Sequence, residues 1–576
     1  MQGLAQRILN LRLDFPEELT TFTLQPLTPL AGGCQLKNRG VIVKKSAIKK
    51  GAILASVVIA LSSNVAGAYS AAPVYMEGVA SSVKLTPVVS AGDMVGTYLV
   101  PGIPDGLGVV KSGNKLRIIT HHEWSGTNAI AAGRNSSSGL TQGSFISEMH
   151  YDLNTKSVTK AKDFITDTVW YNYAASKFAS KPTAPSGAAV LDEYKTPNHT
   201  SLLNRFCSAT LAPEGSFFDK NSGLGYPGAV FLTGEEGGDE SRGFVSNMEG
   251  QLVQIPGFGL SAWENLIPVP NKGKTTAVMG MEDGAATDSQ LWMYQGTKSK
   301  TGAWYEKAGF VGGNGYVLAQ DPSAPVANDN EIRATYGKNK AFKVKFAKID
   351  ISVNGKLQND QAREKGIELA RVEDGSFDPK NPNDFYFVTT ESNKDPKATA
   401  PNPATPTVSR DGGALWRLRF ADVANPSKGG TLEMLLDGSE APFLSKPDNM
   451  TVDAAGNVLI QEDPGNNALV ARIVSYRIKD GAVGVVAKFK DEYFAEGAAS
   501  FITKDEESSG IIDVTEFLSK GKSDKSRYYM YVAQIHGPIA KARPDVAEGD
   551  LSLPKAIEGG QWYIMQISDW AAVYSK

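Results

Sequence analysis

The sequence predicts an all-β fold: a six-bladed β-propeller with long inserted loops over one face. Short apolar runs, rich in β-branched and aromatic residues, recur between Gly, Pro, Asn and Asp turns from residue 75 onward, with no sustained helical periodicity. Each run is continuous rather than alternating, the pattern of strands covered on both faces, and propeller blades packed on two neighbours supply that cover. The 58 Gly and 30 Pro slightly exceed ordinary usage, as many short strands and turns require. A pair of large β-sandwiches is the alternative architecture.

The chain of 576 residues carries 59 Lys+Arg against 62 Asp+Glu, a net charge of −3. No strong field of either sign draws it to nucleic acid or to an anionic membrane, so nucleic-acid binding is excluded as its main business. A hydrophobic content of 41% and an aromatic content of 9% are enough to bury a large core.

The first element is a leader. Lys44, Lys45, Lys49 and Lys50 precede an apolar stretch from Ala52 to Ser62, and Ala66-Gly67-Ala68 follows it. Basic end, short apolar run and small-residue cleavage site are the grammar of a secretory signal, and the run is too short to span a bilayer. Residues 1–68 are therefore read as an N-terminal extension with a cleaved signal, and 69–576 as one propeller domain, exported to the periplasm or beyond, monomeric and without a membrane span. The polar, Pro-containing stretch before Val41 places the true start near Val41 or Val43. Cleavage after Ala68 removes Cys34 and leaves Cys207 as the one thiol. A lone thiol in an exported chain has no internal disulfide partner. It is inert and buried, bridged to another chain, or bound to metal.

The blades follow in order. Leu116–Thr120 runs into His121-His122-Glu123, Ala229–Thr233 into Gly234-Glu235-Glu236, and Leu291–Gln295 is a shorter run. Asp384–Thr390 meets Glu391, Asn457–Gln461 meets Glu462-Asp463, and Tyr528–Gln534 meets Ile535-His536. These six units give the blade count. Two stretches, 178–201 and 393–413, are too rich in Pro, Ala, Thr and Asn to bury a face and read as exposed loops.

Acids just past the end of an apolar strand are the chemical signal. In a propeller, equivalent strand ends converge on one axis, so Glu123, Glu235 or Glu236, Glu391 and Asp463 are expected to face one another. Like charges at close range raise each other's pKa unless cations neutralise them. Carboxylates and carbonyls suit hard ions such as calcium or ferric iron. Further acids lie in the turn-like segments Glu282-Asp283-Gly284, Glu373-Asp374-Gly375 and Asp448-Asn449, where a solvated turn is the plainer reading.

These pieces together resemble the PhoX-type alkaline phosphatases, a family of exported six-bladed propellers. The resemblance lies in His122-Glu123-Trp124-Ser125, in Asn204-Arg205-Phe206-Cys207-Ser208, in Leu232-Thr233-Gly234-Glu235-Glu236, and in Arg371-Val372-Glu373. It continues in Gly413-Ala414-Leu415-Trp416-Arg417 and Pro447-Asp448-Asn449. The resemblance implies a cluster of ferric iron and calcium hydrolysing small phosphate esters. By it, Cys207 is an iron-bound thiolate and Glu282 and Glu373 are iron carboxylates. Glu123, Glu235, Glu236, Asp448 and Asn449 are calcium or bridging ligands, and Arg371 is a charge-assisted donor to phosphate beside Glu373.

The chain departs from that pattern in three places. No Arg pair precedes the apolar run, which points to the general secretory route. Ser208-Ala209-Thr210-Leu211-Ala212-Pro213 replaces the family's sequence after the Cys, with an insertion at Asp219 to Gly225. No His precedes Glu282. The expected function is a secreted metal-dependent phosphomonoesterase. The alternatives are a calcium-dependent propeller lactonase or phosphodiesterase, or a non-enzymatic calcium-binding envelope protein.

Overall fold

The computed structural model describes residues 72–125, 143–189, 200–285, 288–391, 400–401, 409–410, 412–441, 443–465, 469–546 and 553–575. The leader, Cys34 and the start near Val41 lie outside the described residues, as does most of the 393–413 insertion. The described chain falls within one compact unit, Asn64–Lys576.

Strands dominate, and the all-β propeller architecture expected from the apolar runs is the one observed. Six strands end their sheet ladders and touch one another in a closed ring: Pro104–Ser112, Phe206–Ala212, Trp263–Pro268, Val372–Phe377, Pro447–Val452 and Glu506–Asp513. Each is followed outward by antiparallel partners, save that Gln251–Gln254 pairs in parallel with Asp167–Asn172 in the second sheet. The run that starts at Trp263–Pro268 and the run that starts at Val372–Phe377 join through their outer strands Phe342–Ile349 and Gly430–Asp437. Those two runs therefore form a single nine-stranded sheet.

The core sits between neighbouring runs rather than in one central mass. One apolar cluster packs Leu232, Val245 and Val253 against Leu266, Trp292 and Val317. The next packs Met279, Met293 and Leu318 against Phe385, Phe387 and Trp416. Comparable clusters fill the remaining junctions around the ring. Both faces of each sheet are thus covered, which is why the strands read as unbroken apolar runs.

The ring is closed by strand pairing between the two ends of the fold. Val83–Ser90 pairs antiparallel with Gly559–Ile567, completing the sheet that starts at Glu506–Asp513. Met76–Gly78 pairs with 487–489 on the neighbouring sheet.

Five of the six apolar runs found by pattern are the second strands of their sheets. Leu291–Gln295 is instead a third strand, and the second strand there is Thr275–Glu282. That segment, Thr-Thr-Ala-Val-Met-Gly-Met-Glu, lacks an aromatic or β-branched run because Gly280 lies against the Trp263 ring. A Cβ at Gly280 would sit 2.6 Å from that ring. The described part of 178–201 is not all loop either. Lys177–Ala179 adds an edge strand to the second sheet.

Candidate metal centre and adjoining pocket

The innermost strands repeat one local design. The residue before the strand accepts a backbone hydrogen bond from the residue that follows the partner strand. Glu123 N–H donates to Ile103, Glu236 to Arg205, Asp283 to Ala262, Thr390 to Arg371, Asp463 to Lys446 and His536 to Asp505. Ile103, Arg205, Arg371 and Lys446 take left-handed φ of 47, 40, 58 and 47°, a conformation that costs a non-glycine residue roughly 1–2 kcal/mol. Repetition of the same unfavourable turn at one tier ties it to the site rather than to chance.

The second residue of every innermost strand is a metal-ligand type: Asp105, Cys207, Glu264, Glu373, Asp448 and Glu507. All six are buried. In five of these strands the ladder register breaks just after the first residue, so a β-bulge re-aims the side chains there. The third residues stitch adjacent sheets together. Asn265 Nδ2 donates to Asp374 at 2.7 Å, Met450 N–H donates to Asp374 at 3.0 Å, and Gly510 N–H donates to Asn449 Oδ1 at 2.9 Å. At this tier Gly106 passes so close to the next strand that a Cβ would meet Ala209 N at 2.3 Å.

Side chains from the two tiers form five overlapping triads with donor atoms mutually within 4.8 Å. They are Asp105–Glu123–Cys207, Cys207–Glu236–Glu264, Glu264–Glu373–Asp448, Asp448–Asp463–Glu507 and Glu123–Glu507–His536. Of the residues named from sequence, Glu123, Cys207, Glu236, Glu373 and Asp448 are brought together here.

Three of the named residues point elsewhere. Glu235 faces into its sheet, where Arg242 donates to it from Nε at 2.7 Å and Nη2 at 2.6 Å. Glu282 accepts from Ser261 Oγ, Gln290 N–H and Trp292 Nε1 at 2.7–2.8 Å. Asn449 Oδ1 is engaged by Ser208 Oγ and Gly510 N–H, both at 2.9 Å. The physical reason is strand alternation: adjacent residues point to opposite sides, so Glu236 and Glu282 cannot play the same part in their two sheets. Glu391 lies at the rim, 3.5 Å from Arg371 and 3.6 Å from Lys446.

Asp105, Glu264 and Glu507 escaped the sequence reading because they precede an apolar run instead of following one. Their common signal is an acid at the second position of an innermost strand, as in Pro104-Asp105, Trp263-Glu264 and Glu506-Glu507. Asp463 was among the strand-end acids. His536 had no partner in sequence, but in space it meets Glu558 at 2.9 Å through Nδ1.

Burial pushes the carboxyl pKa values of Asp105, Glu236, Glu264, Glu373, Asp448 and Glu507 well above the ordinary range, and neighbouring carboxylates add to the shift. Burial likewise raises the Cys207 thiol, which donates to Asp105 Oδ2 at 3.3 Å. Asp105 Oδ1, Glu236 Oε2 and Glu264 Oε1 are buried with no hydrogen-bond partner among the described residues. Orphaned buried oxygens in a ring of carboxylates are costly unless cations fill it. Hard oxygen donors with one sulfur fit multivalent cations of the calcium and iron type.

Two arginines stand over the ring. Arg205 pairs with Glu123 and, at 3.1 Å, with Glu236. Arg371 donates to both oxygens of Asp283 at 2.7 Å and reaches Glu373 at 3.3 Å. Burial would lift the Asp283 pKa, yet Arg371 outweighs it and holds the carboxyl below its ordinary range. Both arginines line a pocket of about 470 Å³ that also touches Glu236, Asp239, Asp283 and Asp288.

Residues 260–516 match the family model "Alkaline phosphatase PhoX". No curated protein sequence matches the chain. Among solved structures, Pseudomonas fluorescens PhoX in complex with vanadate, a transition state analogue, is similar at a TM-score of 0.53 and 11% identity, covering 88% of this chain and 98% of that one. An α-L-arabinofuranosidase from Podospora anserina (TM-score 0.29, 9% identity, 84% and 95% covered) shares only a faint likeness. So does the β-propeller domain of the Trilobed protease from Pyrococcus furiosus (TM-score 0.25, 8% identity, 76% and 91% covered). The matched residues run from the start of the third innermost strand to the end of the sixth and carry Glu264, Glu373, Asp448 and Glu507, so this part of the chain is similar to the PhoX alkaline phosphatases.

Proposed function

We propose that the protein is an exported, metal-dependent phosphomonoesterase that releases phosphate from small organic phosphates. One observation carries the reading: five overlapping donor triads around the ring with Arg205 and Arg371 above them. The family match supports a phosphoesterase of the alkaline phosphatase type. The similar Pseudomonas fluorescens protein was captured with vanadate, a transition state analogue.

In this reading the triads that include Cys207, Glu236, Glu264 and Glu373 hold ferric iron, Glu264 taking the place that resemblance gave to Glu282. The carboxylate triads through Asp448, Asp463 and Glu507 hold calcium. Bound there, these ions supply Lewis-acid neutralisation of phosphate charge. The chain's own contribution is orientation. Arg371 is fixed by Asp283, so its remaining N–H groups meet phosphate oxygens with little reorganisation. Arg205, fixed by Glu123 and Glu236, approaches from the neighbouring sheet. Export is supported by the basic, apolar and small-residue order of 44–68.

The test is phosphate release from nitrophenyl phosphate, with elemental analysis of the same preparation. Turnover that needs calcium, is lost on chelation and accompanies bound iron is expected. A protein that binds calcium but releases no phosphate, under any metal supplement, would refute the reading.

A further inference from the structure

Six residues hold the same place in the ring, each directly before an innermost strand: Ile103, Arg205, Ala262, Arg371, Lys446 and Asp505. Three of them are cations. Arg205 pairs with Glu123 and Arg371 with Asp283, in each case the residue that follows the second strand of the preceding run. By the same relation the partner of Lys446 is the residue after Asp384–Thr389. That residue is Thr390, which is buried and carries no charge. The pattern that anchors two of the cations therefore leaves the third without its acid.

Lys446 meets Glu391 instead, one residue further along the chain. The contact is loose. Nζ lies 3.6 Å from Glu391 Oε1, beyond hydrogen-bond range, with the lysine side chain 34% and the carboxylate 25% exposed. Arg371 Nη1 reaches the same oxygen at 3.5 Å. One carboxylate oxygen thus stands between two cations and is held tightly by neither. Arg371, by contrast, donates to Asp283 through two nitrogens, both at 2.7 Å. A partly exposed pair of the Lys446–Glu391 kind adds little to stability and is readily exchanged.

Lys446 also stands at the donor ring. Its carbonyl accepts from Asp463 N–H at 3.0 Å. Burial raises the Asp463 pKa, and the charges of His536 and Lys446 act against that rise. Lys446 shares the left-handed backbone of the two arginines, φ 47° against 40 and 58°, so the same turn launches all three side chains.

We propose that Lys446 is a third phosphate-binding side chain, taking a substrate oxygen jointly with Arg371 after displacing Glu391 from the two cations. This rests on the phosphomonoesterase reading above. Glu391 is then a placeholder that neutralises the pair until substrate arrives. A phosphate ester brings up to about two negative charges and three acceptor oxygens, so exchanging the carboxylate for it gains contacts at both cations. Lysine suits this place, because an ammonium on a flexible stem can follow the incoming anion while the guanidinium of Arg371 stays fixed on Asp283.

The experiment measures the affinity of the metal-loaded protein for inorganic phosphate by calorimetry, and kcat and KM for nitrophenyl phosphate, with metal counted per chain in every variant. Lys446→Gln is expected to weaken phosphate binding about 10-fold, the low end for a hydrogen bond to a charged group, and to raise KM in step. Lys446→Arg, which keeps the charge, should recover most of that loss. Glu391→Gln is expected to tighten phosphate binding by about 3-fold, since the competing carboxylate is gone. Affinity that is unchanged in Lys446→Gln, or that falls only in proportion to lost metal, overturns the inference. So does unchanged or weaker binding in Glu391→Gln. Either result leaves the phosphatase reading standing as long as the wild type turns over nitrophenyl phosphate. A wild type that neither binds phosphate nor releases it from nitrophenyl phosphate removes the phosphatase reading and this inference together.

Discussion

Arg205 and Arg371 occupy equivalent places before two innermost strands that are not consecutive in the ring. Each directly precedes an innermost strand, each is left-handed (φ 40 and 58°), and each pairs with the carboxylate that follows the second strand of the preceding run, Glu123 for Arg205 and Asp283 for Arg371. Lys446 holds the same position one innermost strand further on. The ring of acids is thus roofed on part of its circumference by cations, which suits an anionic substrate arriving over a metal-filled centre.

Substituting Arg371 tests that roof. Arg371→Ala is expected to lower kcat/KM by about 10²–10³, the loss typical of one preorganised donor in a transition state. Arg371→Lys should recover only part of it, because Lys cannot reproduce the two-point contact with Asp283. Steady-state kinetics on nitrophenyl phosphate reads both. Near-wild-type rates in the Ala variant would remove Arg371 from the machinery.

Glu282 provides the opposite control. Its carboxylate is occupied by Trp292, Ser261 and Gln290 inside the sheet, and burial lifts its pKa to about 7. Glu282→Gln is expected to cost about 1–3 kcal/mol of stability through lost acceptor capacity. It should leave the metal content per chain unchanged. Glu264→Gln should do the reverse, lowering bound metal with less effect on the metal-free fold. Urea unfolding and elemental analysis separate the two.

Chelation should expose the cost of the acidic ring. In the ring the folded-state carboxyl pKa values lie above those of the unfolded chain. The metal-free folded state therefore binds more protons than the unfolded state above about pH 4, and its stability falls as pH rises from there. The melting temperature of chelated protein should be lower at pH 8 than at pH 5, the direction that raised carboxyl pKa values impose. Metal-loaded protein should show a much weaker dependence, since ligand binding to the native state offsets the repulsion.

Lys298 offers a pH effect far from the ring. Its Nζ is buried and donates to the carbonyls of Asn271 and Gly273, both at 2.8 Å. Burial lowers its pKa to about 8, below the unfolded value. The unfolded chain then holds more protons than the folded one above pH 8, so stability from this group rises with pH through the window up to the unfolded lysine value. In Lys298→Met that rise should vanish from urea unfolding curves measured at pH 8 and pH 10.

Much of the fold was legible in the chain. The run Asp384–Thr390 and its counterparts read as unbroken apolar strands because both faces of each sheet are covered, and burial on both sides leaves no polar alternation to blur the signal. The same cover explains why Thr275–Glu282 was passed over: Gly280 and Ala277 give their volume to the Trp263 ring and to the neighbouring run, so the strand carries little bulk of its own. Glu123, Glu236 and Asp463 were legible because an acid after an apolar run is visible locally.

The sequence by itself determined the strand class, the placement of acids at strand ends and the solitary Cys207. Only the tertiary structure decided which of two neighbouring acids enters the centre. Glu235 and Glu236 differ by one residue, and one residue of strand reverses the direction of a side chain. It also decided that Asp105, Glu264 and Glu507 join them, since residues more than 100 positions apart become neighbours only when six innermost strands meet around one axis. Local pattern fixes what each strand can bury, whereas convergence of charge depends on contacts that no local window contains.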